Sequence, residues 1–266
     1  MTLDSISASV IEFTLEVDRL YVALAGSAEM HEQEPNLGGK LLYAGELTPR
    51  GRALLVAGNI SGAASLAVTA DVAAQKQAVR DGVADFLVNS LGEALRILKN
   101  EIRKRETVAV CVAAAPRDVE QEMLERGVAP DLLAPLADYA PTTAFLPAPR
   151  RIEFDPRPRV VVTYRAASAA AQRLPRLDAI ALDCVRGIDT PEAAATRRWL
   201  RLAPRYLGRM TQGLRVFSAT EAGIVDEFRA RVQDAVNRNE IGVEVEVRLC
   251  DEEEVRLRHS SPQTEA

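Results

Sequence analysis

Apolar and polar positions change rhythm several times along the 266 residues of this chain. Near the start, Ile11, Phe13, Leu15 and Val17 alternate with Glu12, Thr14, Glu16 and Asp18. A period of two predicts a half-buried strand, although a helical stripe also runs through Val10, Phe13, Val17, Leu20, Tyr21 and Leu24. Residues 26–39 are polar, include Pro35 and read as a connector, so 1–38 is taken as an N-terminal strand and connector. From Lys40 onward, short apolar runs at 41–47, 65–70, 85–88, 107–114 and 130–136 predict strands. Between them, 53–64, 71–82, 90–105 and 116–127 predict helices. Ser90 with Glu93 three residues on is a capping box, and Pro116 and Gly127 bracket the last helix as start and stop. Strands separated by helices of this length predict an α/β fold with a doubly wound, mostly parallel sheet over residues 39–147.

Four prolines within 147–158 mark a boundary, and 148–158 reads as a proline-rich linker. Beyond it, strands are expected at 160–164, 179–185, 214–219 and 243–249, with helices at 166–174, 191–202 and 221–238. This describes a second, smaller α/β domain over 159–250, followed by an acidic and polar tail at 251–266.

Composition narrows the chemistry. Hydrophobic residues make up 47% and charged residues 27%, which excludes a mainly disordered chain. No apolar run approaches the ~20 residues that span a bilayer, and the first ten residues lack the basic and apolar regions of a secretory signal. Cys111, Cys184 and Cys250 form no C-x-x-C pair, so a reducing cytoplasm is the expected compartment. His31 and His259 are the only histidines, which argues against a histidine-rich metal centre and a Ser-His-Asp triad; no metal is expected. His31 lies among Glu29, Glu32 and Glu34 in what reads as a solvated acidic loop. A net charge of −5 gives no general attraction to nucleic acid or to an anionic membrane, and neither is expected as a partner. Cys111 sits mid-strand among valines and alanines as an inert buried thiol, while Cys184, near a strand end, is more open to chemistry. Asp178, Asp183 and Asp189 lack the spacing of a metal loop.

A dinucleotide-binding unit runs strand, glycine-rich turn, helix, strand, acid, so that backbone N–H groups approach the pyrophosphate. Here the order of elements is right and the turn is wrong. Glu46-Leu47-Thr48-Pro49-Arg50-Gly51-Arg52 holds one glycine, Pro49 supplies no N–H, and Glu46 is negative where a phosphate would sit. Arg50 and Arg52 offer direct positive charge in partial compensation.

Residues 39–71, GKLLYAGELTPRGRALLVAGNISGAASLAVTAD, resemble the strand, turn, helix and second strand of the Rossmann-like domain of urocanase (urocanate hydratase). The likeness continues through Gly82, the helix at 90–98, ERGVAPDLL at 125–133 and Phe145-Leu146-Pro147, so it covers residues 39–147. It implies a Rossmann-like fold. In the family it also implies NAD used as an electrophile towards the urocanate ring, in histidine degradation. Carried over by position, the resemblance points to Arg50, Gly51, Arg52, Asp71 and Arg117 as the residues around a cofactor or anion site.

The departures fall on the family's chemistry. Glu46, Thr48 and Pro49 stand at glycines of its cofactor turn, Thr69 at the ribose acid, and Ala114-Ala115-Pro116-Arg117 at a G-N-A-A turn. Residues 134–141 match a T-D-Q-T-S-A-H-D stretch without its first aspartate, its glutamine or its histidine. Arg198-Trp199-Leu200-Arg201-Leu202-Ala203 and Gln212-Gly213-Leu214 are weakly similar to two further motifs, without the cysteine of the second. Family members are about twice as long. The resemblance therefore implies a shortened, non-catalytic relative acting as a partner, regulatory or assembly subunit, with catalytic residues unknown. It would bind no cofactor, and would pair with itself or with a full-length urocanase-like protein. Two alternatives stand beside it: an NAD-dependent hydratase acting on urocanate or a related acid, or a sensor holding a small anion between Arg50, Arg52 and Arg117.

Overall fold

The computed structural model describes residues 8–133, 145, 147–154, 157, 159–166, 173–211, 213–220, 222–241 and 245–251. Two expectations fall mostly outside these residues: the helix at 166–174 and the tail at 251–266. The strand expected at 130–136 is described only to residue 133. The chain forms two compact units, a central one of Arg19–Asp155 and a terminal one that joins Met1–Asp18 to Pro156–Ala266.

The first element corrects the reading of its sequence. Residues expected as a strand form helix α1 (Ala8–Gly26), continuous across the boundary between the units. Thr14, Val17, Leu20, Tyr21 and Leu24 are buried at helical spacing, whereas Ile11, Phe13 and Leu15 are only half-buried. Four alternating pairs were outweighed by a 3.6-residue stripe sustained over a longer stretch. The polar connector that follows contains a short hairpin, β1 (Glu29–His31) with β2 (Glu34–Asn36), turned by Glu32 and Gln33 at positive φ.

The central sheet begins with β3 (Leu41–Glu46), which leads into α2 (Pro49–Ser61) and β4 (Ala64–Val68). Then come α3 (Val72–Arg80), β5 (Phe86–Val88), α4 (Leu91–Lys104), β6 (Val108–Val112) and α5 (Pro116–Glu125). The sheet closes with β7 (Leu132–Leu133) and β8 (Arg150–Arg151), the latter drawn from the proline-rich stretch. The strand order is β5-β6-β4-β3-β7-β8, and every pair is parallel. This is the doubly wound α/β sheet that the alternation of elements predicted.

One face of the sheet presents Tyr43, Leu66, Val68, Val110 and Val112 to Leu91, Leu95 and Leu98 of α4 and to Val119 and Met123 of α5. Tyr43 and Phe145 meet edge to face there, with centroids 5.9 Å apart. The other face receives α2, whose residues 53–61 are all buried. That approach depends on Gly58, since a Cβ there would lie 2.6 Å from Ser65 Oγ and 2.8 Å from Leu42 Cδ2.

The terminal unit continues with β9 (Val160–Ala166), α6 (Leu174–Val185), α7 (Pro191–Leu207), β10 (Leu214–Ala219), α8 (Ala222–Asn237) and β11 (Val245–Asp251). Its three strands are antiparallel in the order β10-β9-β11. Residues 179–185, expected as a strand, belong to α6. Leu177, Ile180, Ala181 and Cys184 are buried there at a spacing only a helix provides. Val161, Leu214 and Val216 pack with Val10, Ile11 and Leu15 of α1. Tyr164, Phe217 and Phe228 form an aromatic cluster with centroids 5.5–6.4 Å apart.

Candidate functional site

In an open parallel sheet, ligands bind beyond the carboxyl ends of the strands. Four turns reach that edge among the described residues, and three of them bear on the site: β3 to α2, β4 to α3 and β6 to α5. They carry all five residues singled out from the sequence, Arg50, Gly51 and Arg52 in the first, Asp71 in the second and Arg117 in the third. The topology thus brings them to one edge. Their contacts set them apart.

At the first turn the backbone closes on itself. Leu47 N–H donates to Val68 O at 2.9 Å and Thr48 N–H to Glu46 O at 2.8 Å. Thr48 is the N-cap of α2, its Oγ1 accepting from Gly51 N–H at 3.1 Å and its carbonyl from Arg52 N–H at 2.9 Å. Pro49 has no N–H to offer. The amides of Thr48, Gly51 and Arg52 are therefore spent inside the turn. Gly51 serves the same closure, since a Cβ there would fall 2.1 Å from Glu46 O. Its missing side chain makes room for the turn's own carbonyl, where a dinucleotide-binding turn would admit a phosphate.

The charged side chains are equally occupied. Arg52 forms an ion pair with Asp81, which also accepts from Gln77 at 2.8 Å. The guanidinium of Arg50 lies 5.8 Å from the centre of the Phe154 ring, and that of Arg19 lies 4.7 Å from it. Glu46 is exposed at the rim. At the second turn Asp71 is a helix cap, its Oδ1 accepting from Ala73 N–H at 2.7 Å. Thr69, at the position of the family's acid, is buried; its Oγ1 accepts from Asp71 N–H at 3.2 Å, and its carbonyl from Gln75 Nε2 at 2.9 Å. Arg117 alone among the five is exposed with no side-chain partner among the described residues. It stands on the first turn of α5, where Ala115 gives no side-chain cap.

Beneath this edge lies a polar pair that no local pattern announced. Tyr43 OH donates to Glu120 Oε1 at 3.0 Å, with both residues buried and 77 positions apart in sequence. The phenol is pushed far above its ordinary value, first by burial, then by the charge and hydrogen bond of Glu120, and last by the charge of Glu46. Asp81 and Phe154, which hold Arg52 and Arg50, were also not legible as site residues. Burial pushes the Cys111 thiol up to about 11, in keeping with its reading as inert. The Cys184 thiol is likewise pushed up to about 11, chiefly by burial, with Arg231 opposing.

Among the described residues, no three His, Cys, Asp or Glu side chains cluster to hold a metal ion, and no helix is long and apolar enough to cross a membrane. His31 is exposed on β1. The segment at 134–141 lies outside the described residues.

A dinucleotide needs several converging N–H donors at the first turn and an acid at the end of the second strand. The groups present do not fit it. The amides of Leu47, Thr48 and Gly51 are taken up within the fold, Arg52 and Arg50 lie against Asp81 and Phe154, and the acid's position is a buried threonine. The ancestry of the domain is nevertheless plain. Residues 19–157, more than half of the chain, match the urocanase Rossmann-like domain, and the chain belongs to the urocanase family.

Proposed function

We propose that this chain is a non-catalytic member of the urocanase family that works as a partner, regulatory or assembly subunit. The observation that carries the reading is the self-satisfied β3–α2 turn: Thr48, Gly51 and Arg52 spend their amides on one another and on Glu46. Arg52 N–H makes the ordinary i→i−4 bond of any helix start, whereas the Thr48 and Gly51 amides are ones a phosphate could have used; losing a charge-assisted hydrogen bond costs about 1.5–3 kcal/mol, so losing two weakens dinucleotide binding by orders of magnitude. Its working compartment in this reading is the reducing cytoplasm, in keeping with the free, buried Cys111 and Cys184.

The test is direct. Purified protein is denatured and its supernatant analysed for NAD by mass spectrometry, while native protein is assayed for loss of urocanate absorbance. Neither stoichiometric NAD nor turnover is expected, and either one would overturn the reading. A pull-down from the native host is expected to recover a full-length urocanase-like protein.

A second reading, a sensor for a small anion, draws on Arg117 alone, because Arg52 is paired and Arg50 lies over Phe154. It requires measurable phosphate or carboxylate binding by calorimetry that disappears in Arg117→Ala.

A further inference from the structure

The terminal unit contains a cleft between α7 and the start of β10. Trp199, Ala203 and Leu207 of α7 and Leu214 and Val216 of β10 give it an apolar lining, and Thr14 of α1 and Arg215 also line it. At about 280 Å³, its open mouth included, it lies just below the range of small-molecule sites, which limits the occupant to a compact one. All of its lining residues belong to the terminal unit, so what it binds is independent of the cofactor turn in the central unit.

Three polar groups among these residues have bonding capacity to spare. The Arg215 side chain is only 17% exposed, yet its contacts are long, with Nε 3.4 Å from Asp178 Oδ2 and Nη1 3.4 Å from Leu214 O. Arg159 and Arg197, by contrast, each make two bonds of 2.7–3.1 Å. A guanidinium carries five N–H donors, so Arg215 keeps several for another partner. Pro204 stands inside α7 and has no N–H, which deprives the carbonyl of Leu200, four residues earlier, of its helical partner. Leu200 also lines the cleft. Thr14 is 1% exposed; its Oγ1 donates to Val10 O at 2.7 Å and can still accept. Asp178, bonded to Tyr164 OH at 2.6 Å, balances the charge of Arg215. The cleft is thus close to electrical neutrality, with N–H donors from Arg215 and oxygen acceptors from Leu200 and Thr14.

We propose that this cleft binds a small aliphatic α-amino acid as its zwitterion. The carboxylate takes the spare N–H donors of Arg215, the ammonium donates to Leu200 O and Thr14 Oγ1, and the side chain lies against the apolar lining. Charge balance selects the zwitterion over its simpler relatives. A plain carboxylate leaves the two oxygen acceptors unmet and brings a net charge into an apolar cleft, and a plain amine leaves Arg215 as it was.

Isothermal titration calorimetry on the full chain tests this with three ligands of one shape: L-valine, isovalerate, which lacks the ammonium, and isobutylamine, which lacks the carboxylate. L-Valine is expected to bind once per chain, and each of the others at least about tenfold more weakly. Arg215→Gln is expected to weaken valine binding by at least about tenfold as well. Since Arg215 also touches Asp178, Ala203→Leu serves as a second variant that fills the cleft without changing its charge, and it should bind no valine. Circular dichroism checks that each variant folds, and the ligand series on the wild type depends on neither. A wild type that takes up no valine at about 10 mM, isovalerate or isobutylamine bound as tightly as valine, or a folded variant that binds valine like the wild type overturns the proposal.

Discussion

Gly51 and Tyr43 show how much of this site is decided by single atoms. A methyl group at Gly51 would lie 2.1 Å from Glu46 O, with backbone on both sides and no flexible chain end to yield. Gly51→Ala is expected to cost about 3 kcal/mol, read as a lowered denaturant midpoint with unchanged slope. Tyr43 and Tyr164 carry a pH dependence. Both phenols are held above their ordinary value, Tyr43 by burial and Glu120, Tyr164 by burial and Asp178 with Arg215 opposing. Above about pH 10 the unfolded chain releases phenol protons that the folded chain retains, so the unfolded state binds fewer protons. Stability from this source is complete below that pH and falls above it, by about 1.4 kcal/mol per pH unit for each tyrosine. Thermal melts from neutral to alkaline pH should show the decline. Tyr43→Phe should start less stable, having left Glu120 without its phenol donor, and should then decline less steeply with pH. An unchanged slope would remove Tyr43 from the explanation.

The secondary elements were legible wherever a single pattern competed for each stretch. Ser90 and Glu93 announced the start of α4: Glu93 N–H donates to Ser90 Oγ at 3.3 Å, while the Glu93 carboxylate reaches one residue past the cap and accepts from Asn89 N–H at 3.1 Å. Ser90→Ala is expected to cost about 1 kcal/mol in a chemical denaturation, and Ser90→Asp to restore most of it. Helices α1 and α6 were misread for a common reason. In α1 a strand-like alternation lay over a helical stripe; in α6 a short apolar run carried no periodicity of its own. Which pattern wins depends on the surface each segment meets, and Val161, Leu214 and Val216 lie more than a hundred residues from the α1 positions they cover. The site divides in the same way. The loss of glycines at the β3–α2 turn could be read directly, because it is local. The partners of Arg50 and Arg52 could not be, since Phe154 and Asp81 reach them only through the fold.

For the whole molecule, the parallel sheet of the family domain and the antiparallel sheet of the terminal unit are separate pieces of architecture held in one chain. The order of strands and helices disclosed the first. The second was expected to be α/β as well, but its antiparallel pairing is set by contacts that spacing does not encode. The division also has an optical consequence. Trp199 is the only tryptophan in the chain, and it lies in the terminal unit, 2% exposed, with its indole N–H donated to Val216 O. Its emission is therefore a native fluorophore for that unit alone, while far-ultraviolet circular dichroism sums over both. With three strands in its sheet against six among the described residues, the terminal unit is expected to yield first, so the emission midpoint in a denaturant titration should precede the dichroism midpoint. Coincident midpoints would instead show a chain that melts as one cooperative block.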